Sequence, residues 1–228
     1  MKKQMTPAAR RRRAALPVAI ISYALMLVGL VAVVLWAVGV VRGIAANTSK
    51  REEYEDFIRP IVMMDPIPFD DISEADPAFV REAALWAALS DKKRDSYAVD
   101  DLGLLLLPAT DVNVAAAKLF GPDASVEHMS FEDLDGTYLY DPEIAAYRVP
   151  AISKNADSPL VESVSREGDT TVLRVGYVAP GTIWTTQRKD SDGRILPEKT
   201  MLYRLAKTKD SYYVDAVLDV DAAAAPIS

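Results

Sequence analysis

The chain contains no cysteine, a single histidine and, before Glu52, no acidic residue at all. The first absence excludes disulfides, thiolate metal sites and cysteine nucleophiles together, so the fold must rest on its apolar core. The second excludes a multi-histidine metal centre. Only ten glycines occur, and none is arranged as a phosphate-cradling loop. There is no Gly-x-Ser-x-Gly, and the Ser-Lys pairs Ser49-Lys50 and Ser153-Lys154 are adjacent residues that cannot face each other on a helix. Neither nucleotide-loop nor serine-hydrolase chemistry has its signature here, and no cofactor is implied.

The missing early acids make the charge lopsided. All thirty-three acidic residues follow position 51, while six of the twenty-six basic ones precede Ala14. Twenty basic against thirty-three acidic residues leave a net charge of about −13 beyond residue 13. Such a field repels phosphate backbones, so no nucleic-acid partner is expected, and it attracts cations and basic partners.

What the chain does have is an uncharged, almost wholly apolar run of twenty-eight residues from Ala14 to Val41. About twenty helical residues cross a hydrocarbon core, so the run predicts a transmembrane helix over 14–41. Lys2, Lys3 and Arg10 to Arg13 precede it, against Arg42, Lys50 and Arg51 close behind it. That bias orients the N-terminus to the cytoplasm and the C-terminus outside, as a single-pass cell-membrane protein. A cleaved signal would need an apolar region of only about 7–15 residues and a small-x-small cleavage site, and Ile44 spoils the site before Asn47. Gly39 and Gly43 at the outer end permit close approach of a second span, with Arg42 between them.

The predicted organisation is a basic cytoplasmic tail (1–13), the span (14–41), a juxtamembrane helix and linker (42–74), an extracytoplasmic domain (75–221) and a short tail (222–228). Asn47 or Thr48 can cap a first helix, in which Phe57, Ile58, Ile61 and Val62 form an apolar stripe and Pro60 introduces a kink. Asp76 caps a second helix, with Pro77 in its first turn, ending near Asp91. A third runs from Thr110 or Asp111 to Phe120, stopped by Gly121 and Pro122. Leu104 to Leu107 is a buried run of unassigned type. From Val126 the pattern turns to strands: a hairpin of Tyr138–Tyr140 with Ala146–Val149, then strands over 160–166, 170–178, 200–208 and 212–220. In the last, alternation puts Tyr212, Val214 and Ala216 on one face and Tyr213, Asp215 and Val217 on the other. The fold class is α+β, with helices packed on one side of a curved antiparallel meander sheet.

The order of these elements, with Leu119-Phe120-Gly121, Tyr140-Asp141-Pro142-Glu143, Val175-Gly176-Tyr177 and the final Tyr-rich strands, resembles membrane-anchored ectodomain proteins of Gram-positive bacteria. The helix-then-meander order is similar to the NTF2-like or cystatin-like α+β fold. An N-in anchor before such a domain also resembles the bitopic assembly subunits of type IV secretion systems. The resemblance implies a cone-shaped domain in which Asp and His or Tyr can face a cavity; in this chain Asp215, His128 and the tyrosines are the matching residue types.

His128 in Val126-Glu127-His128-Met129 is the one histidine available for acid–base work, and strand alternation sends Glu127 to the opposite side. The acidic groups Asp70-Asp71-Glu74-Asp76 and Glu132-Asp133-Asp135 lack the ligand spacing of a calcium loop, and Asp190-Ser191-Asp192-Gly193 reads as a hairpin tip, so no metal site is assigned. Tyrosines crowd the strand-rich half. Tyr212 and Tyr213 point to opposite faces, and Trp184 sits in the long loop from Pro180 to Pro197; these aromatics are candidate contact residues. The expected function is a non-enzymatic interaction or assembly protein of the envelope, binding other envelope proteins or itself through Trp184, Tyr212, Tyr213, Asp215 and His128. The alternative is a small-ligand-binding or weakly enzymatic cone.

Overall fold

A computed structural model describes residues 48–220 except 134, 151–153, 182–186 and 210. The predicted span 14–41, both predicted tails and Trp184 lie outside the described residues. Among the described residues no helix is long and apolar enough to cross a membrane. The chain divides into two compact units, Met1–Arg51 and Glu52–Ser228, and the second holds both sheets and their cores.

Residues 48–64 are helical (α1), and the helix continues through Pro60. From Glu52 onward, Tyr54, Ile58, Ile61 and Val62 recur at helical spacing and are at most 3% exposed. Each fully buried side chain of this kind contributes about 1.5–3 kcal/mol, which makes this stretch part of the fold rather than a free stalk. A 3-10 turn (Ile72–Glu74) and helix α2 (Pro77–Ser90) follow. Asp76 caps α2 by accepting the Ala78 N–H at 2.9 Å, as its sequence predicts. A second 3-10 turn (Lys92–Ser96) leads to β1 (Leu105–Pro108) and α3 (Ala109–Phe120). The short strands β2 (Phe131–Glu132), β3 (Thr137–Asp141) and β4 (Ala146–Val149) precede four long ones: β5 (Ser158–Glu167), β6 (Thr170–Val178), β7 (Lys199–Lys207) and β8 (Tyr212–Asp219).

The fold is α+β, but the strands form two four-stranded antiparallel sheets instead of a single curved one. One is the meander β5-β6-β7-β8; the other has the order β1-β4-β3-β2. The unassigned leucine run is β1, and it pairs with β4 from Leu105↔Val149 to Pro108↔Ala146. That pairing closes the expected hairpin into a separate sheet.

The second and third helices are shared between two cores. Val80, Ala83, Leu119 and Phe120 join α1 and the meander residues Leu173, Val175, Tyr203 and Val217 in one cluster. Leu85, Trp86, Val112 and Ala116 join Leu107, Tyr138, Tyr147 and Val149 of the small sheet in the other.

Strict alternation fails in β8. Leu205 pairs with Val214 while Arg204 pairs with Ala216, so Asp215 is an inserted bulge residue. Val214 and Val217, expected on opposite faces, consequently share one core cluster. The strand alternation expected at Glu127 and His128 does not apply, because the backbone from Gly121 to Ser130 turns without joining a sheet; a two-residue strand, Phe131–Glu132, precedes the expected hairpin.

Candidate functional site

Helix α3 ends where Gly121 adopts φ +97°, its N–H bonding the Ala117 carbonyl at 3.1 Å. A Cβ at this position would sit 3.0 Å from two ring carbons of Tyr213, so glycine is what lets the β8 tyrosine lie against the helix end. Two residues further along β8, the bulge at Asp215 re-aims its carboxylate. It accepts the Arg204 Nε–H at 2.6 Å, and Arg204 Nη2 donates to the Asp70 carbonyl at 2.6 Å. The Ile72–Glu74 turn is capped by Asp71, which accepts the Ser73 N–H at 2.9 Å and its hydroxyl at 2.6 Å. These two bonds, hydroxyl foremost, hold the Asp71 carboxyl below the usual range and keep it ionised.

Between these three pieces lies a cleft of about 550 Å³. Ile72, Ala75, Val80 and Phe120 give it apolar surface, while Asp71, Asp123, Glu127, Asp215, Ser73 and Tyr213 supply its polar groups. Four carboxylates therefore line it, with Asp215 already paired to Arg204. A groove of that sign accepts a cationic group and repels an anionic one.

The structure brings Tyr213 and Asp215 together on this cleft. Tyr212 faces the core side instead: its ring packs edge-on to Phe57 at 4.8 Å and its hydroxyl donates to Glu53 at 3.1 Å. His128 belongs to the small-sheet side. Its ring stacks on Tyr140 at 5.3 Å, Nδ1 meets the Tyr147 hydroxyl at 3.0 Å, and Nε2 meets Asn113 Oδ1 at 3.1 Å. Glu127, its neighbour, lines the cleft, so the two adjacent side chains do diverge. The Asp215–His128 cone implied by the resemblance is not assembled by these contacts.

Several members of the acidic clusters are engaged within the fold. Asp71 caps the Ile72–Glu74 turn and Asp76 caps α2; Asp133 binds Lys154 at 2.7 Å and accepts the Asp135 and Gly136 N–H groups at 2.9 Å. Asp190 accepts the Asp192 and Arg194 N–H groups at 2.9 and 2.8 Å, closing a hairpin tip flanked by the Lys189↔Ile195 bridge. Among the described residues no three His, Asp or Glu side chains converge as a metal-holding group.

Two features had no sequence signal. Arg81 on α2 is only 6% exposed, with its guanidinium 5.0 Å from the Phe131 ring centre. A charged residue in a helix normally reads as a wet face. A second groove, of about 470 Å³, runs between α1, α2 and α3, past Phe57, Pro60, Ala87 and Val114 and the Lys93–Asp111 ion pair. Burial, with the hydrogen bond to Asp111 second, pushes the Tyr97 hydroxyl on its wall up to about 12.

Comparison of the chain with protein-family models, curated proteins and solved structures finds no match.

Proposed function

We propose that this chain is a membrane-anchored extracytoplasmic interaction or assembly protein of the cell envelope, non-enzymatic, held by residues 14–41 with its N-terminus in the cytoplasm. Its docking site is the cleft beside β8, and its partner is an envelope protein that presents a basic side chain to Asp71, Asp123 and Glu127 while an apolar neighbour covers the half-buried Ile72 and Tyr213. The observation that carries this reading is the cleft itself: a bulged strand, a glycine-ended helix and a capped turn converge on one acidic recess with apolar surface. Helices on one face of the β5–β8 meander also support an NTF2-like reading of that half, with the small sheet as an addition to it. The alternative of a cone worked by Asp215 and His128 has less support, because His128 is engaged with Tyr147 and Asn113 and does not line the cleft.

The test places a photo-crosslinking residue at Ser125 on the cleft and at Asp169 in the β5–β6 turn, in the full chain in native membranes. An adduct formed from Ser125, absent from Asp169, and lost on Asp123→Asn with Glu127→Gln supports the reading. Equal yields at both positions, or no adduct at the cleft, refute it.

A further inference from the structure

The connection from β6 to β7 ends in a small hairpin of its own. The Asp190 N–H bonds the Arg194 carbonyl at 2.9 Å and the Leu196 N–H bonds the Arg188 carbonyl at 2.8 Å, with the Lys189↔Ile195 bridge between them. A pair flanked by two such bonds is the non-hydrogen-bonded kind, whose side chains stand closest together on one face. The hairpin therefore presents Lys189 beside Ile195, and on its other face Arg188 opposite Leu196. All four residues are exposed.

Charge sets this hairpin apart. From Arg188 to Leu196 three basic residues stand against two acidic ones, in a chain that carries about −13 beyond residue 13. One of the two acids, Asp190, is engaged inside the tip by the Asp192 and Arg194 N–H groups. Among the described residues Arg188, Lys189 and Arg194 have no ion-pair partner. Other exposed apolar side chains, such as Leu102 and Ile144, directly follow an acid in the sequence, whereas Ile195 directly follows Arg194.

The cleft is the complement of that surface. Asp123 and Glu127 on its wall are exposed and, among the described residues, equally without an ion-pair partner, while Asp71 and Asp215 are bonded to Ser73 and Arg204. Half-buried Ile72 and Tyr213 line the same cleft. The two surfaces belong to different ends of the meander. The connection leaves the sheet after Val178 and returns at Lys199, whereas Asp215 bonds Arg204, about 17 Å further along β7, and Tyr213 lies closer still to the β7–β8 turn. That offset favours a meeting between two copies over one within a single chain.

We propose that the partner of the cleft is a second copy of this chain: the hairpin at 188–196 of one copy enters the acidic cleft of the next, setting Lys189 against Asp123 and Glu127, and Ile195 against Ile72 and Tyr213. This rests on the reading of the cleft as a docking site. Donor and acceptor are different surfaces, so the association is head-to-tail and grows into a ring or a filament instead of stopping at a symmetric pair. One hairpin buries less than a standard interface, so the contact is weak unless the copies share a membrane that concentrates them.

Because the chain has no cysteine, a single introduced thiol is unique. Two differently tagged full-length copies, one with Ser125→Cys on the cleft and one with Ser191→Cys at the hairpin tip, are expressed in one membrane and treated with a short bis-maleimide crosslinker. A dimer carrying both tags is expected, well above the yield obtained when Asp169→Cys in the β5–β6 turn replaces Ser191→Cys. Changing Arg188, Lys189 and Arg194 to Glu in the hairpin copy is expected to lower that yield about fivefold or more. Asp123→Lys with Glu127→Lys in the cleft copy is expected to restore it, a rescue that a misfolded hairpin could not give. A mixed dimer no more abundant than the Asp169→Cys control, one that ignores the charge reversal, or a reversal without rescue overturns the proposal. Oligolysine binding to the full chain judges the cleft on its own. If it is found, and is lost on Asp123→Asn with Glu127→Gln, while no mixed dimer forms, the acidic cleft stands and only the self-pairing falls; absence of both removes both.

Discussion

Removing one hydroxyl from the meander core is expected to cost more than removing two. Tyr177 and Tyr203 are both 0% exposed, and their hydroxyls meet at 2.6 Å between β6 and β7. Either single change to Phe strands the other hydroxyl in the core, at about 1–3 kcal/mol, whereas the double change leaves apolar rings of almost the same shape and is close to neutral. The two singles should differ. Lys199 lies over the Tyr177 ring at 4.5 Å, and Asp157 acts on the Tyr177 hydroxyl but not on that of Tyr203, while Asp65 acts on both, so a stranded Tyr177 keeps more polar surroundings. Burial is the main cause that raises the Tyr203 hydroxyl well above its usual value, and its next partner is Tyr177 itself. Tyr177→Phe is therefore the costlier change. In a chain of this size 1 kcal/mol moves the melting temperature by about 2–4 °C, so the more damaging single variant should melt about 5 °C or more lower. Urea unfolding of the wild type, both singles and the double gives a thermodynamic cycle, with an expected coupling of at least about 1 kcal/mol. Strictly additive losses would refute the reasoning, since they would mean that each hydroxyl is satisfied without the other.

Other substitutions test other contacts. Gly176→Ala puts a Cβ 2.7 Å from the Pro197 Cβ, and this overpacking should cost about 1–3 kcal/mol in a thermal melt. Gly121→Ala meets both a left-handed φ of +97° and the Tyr213 ring at 3.0 Å; it should destabilise by at least about 1 kcal/mol and lower oligolysine affinity by displacing Tyr213 from the cleft. Burial tends to raise the Asp133 carboxyl, but Lys154 and the Asp135 and Gly136 amides outweigh it and hold the group below 3.8. The stability it provides is complete above 3.8 and lost as pH falls through the lower folded value; a melt series against pH should show that acid loss in the wild type and a smaller one in Asp133→Asn.

Much of this fold is written locally. Asp76 with Pro77, Gly121 after Phe120 and Gly168-Asp169 between two β-rich runs are punctuation whose chemistry acts within a few residues, and the corresponding helix and strand ends fall close to where those residues stand. What escaped was set by contacts distant in sequence. Leu105 could join β4 only once Val149 was beside it, so a run with no periodicity carried no sign of a second sheet. The Asp215 bulge is invisible to alternation because Val214, Ala216 and Val217 are all apolar and any register of them looks acceptable. The cleft was partly legible, as Tyr213 and Asp215 share a face two residues apart, but the Gly121 that admits the tyrosine reads only as a helix stop. His128 was visible as the lone histidine, while its partners Asn113 and Tyr147 come from a helix and a strand on either side of it in sequence.

The first helix has a mechanical consequence. Its Glu55 carboxylate accepts the Val161 N–H of β5 at 2.8 Å, and its Glu53 and Tyr54 engage Tyr212 of β8. Those are the two outer strands of the meander. A pull applied at Glu52 is therefore shared at once between both borders of the sheet, loading the buried contacts of Ile58 and Ile61 in shear rather than peeling one strand from its neighbour. Tension entering there meets the whole meander as a single brace.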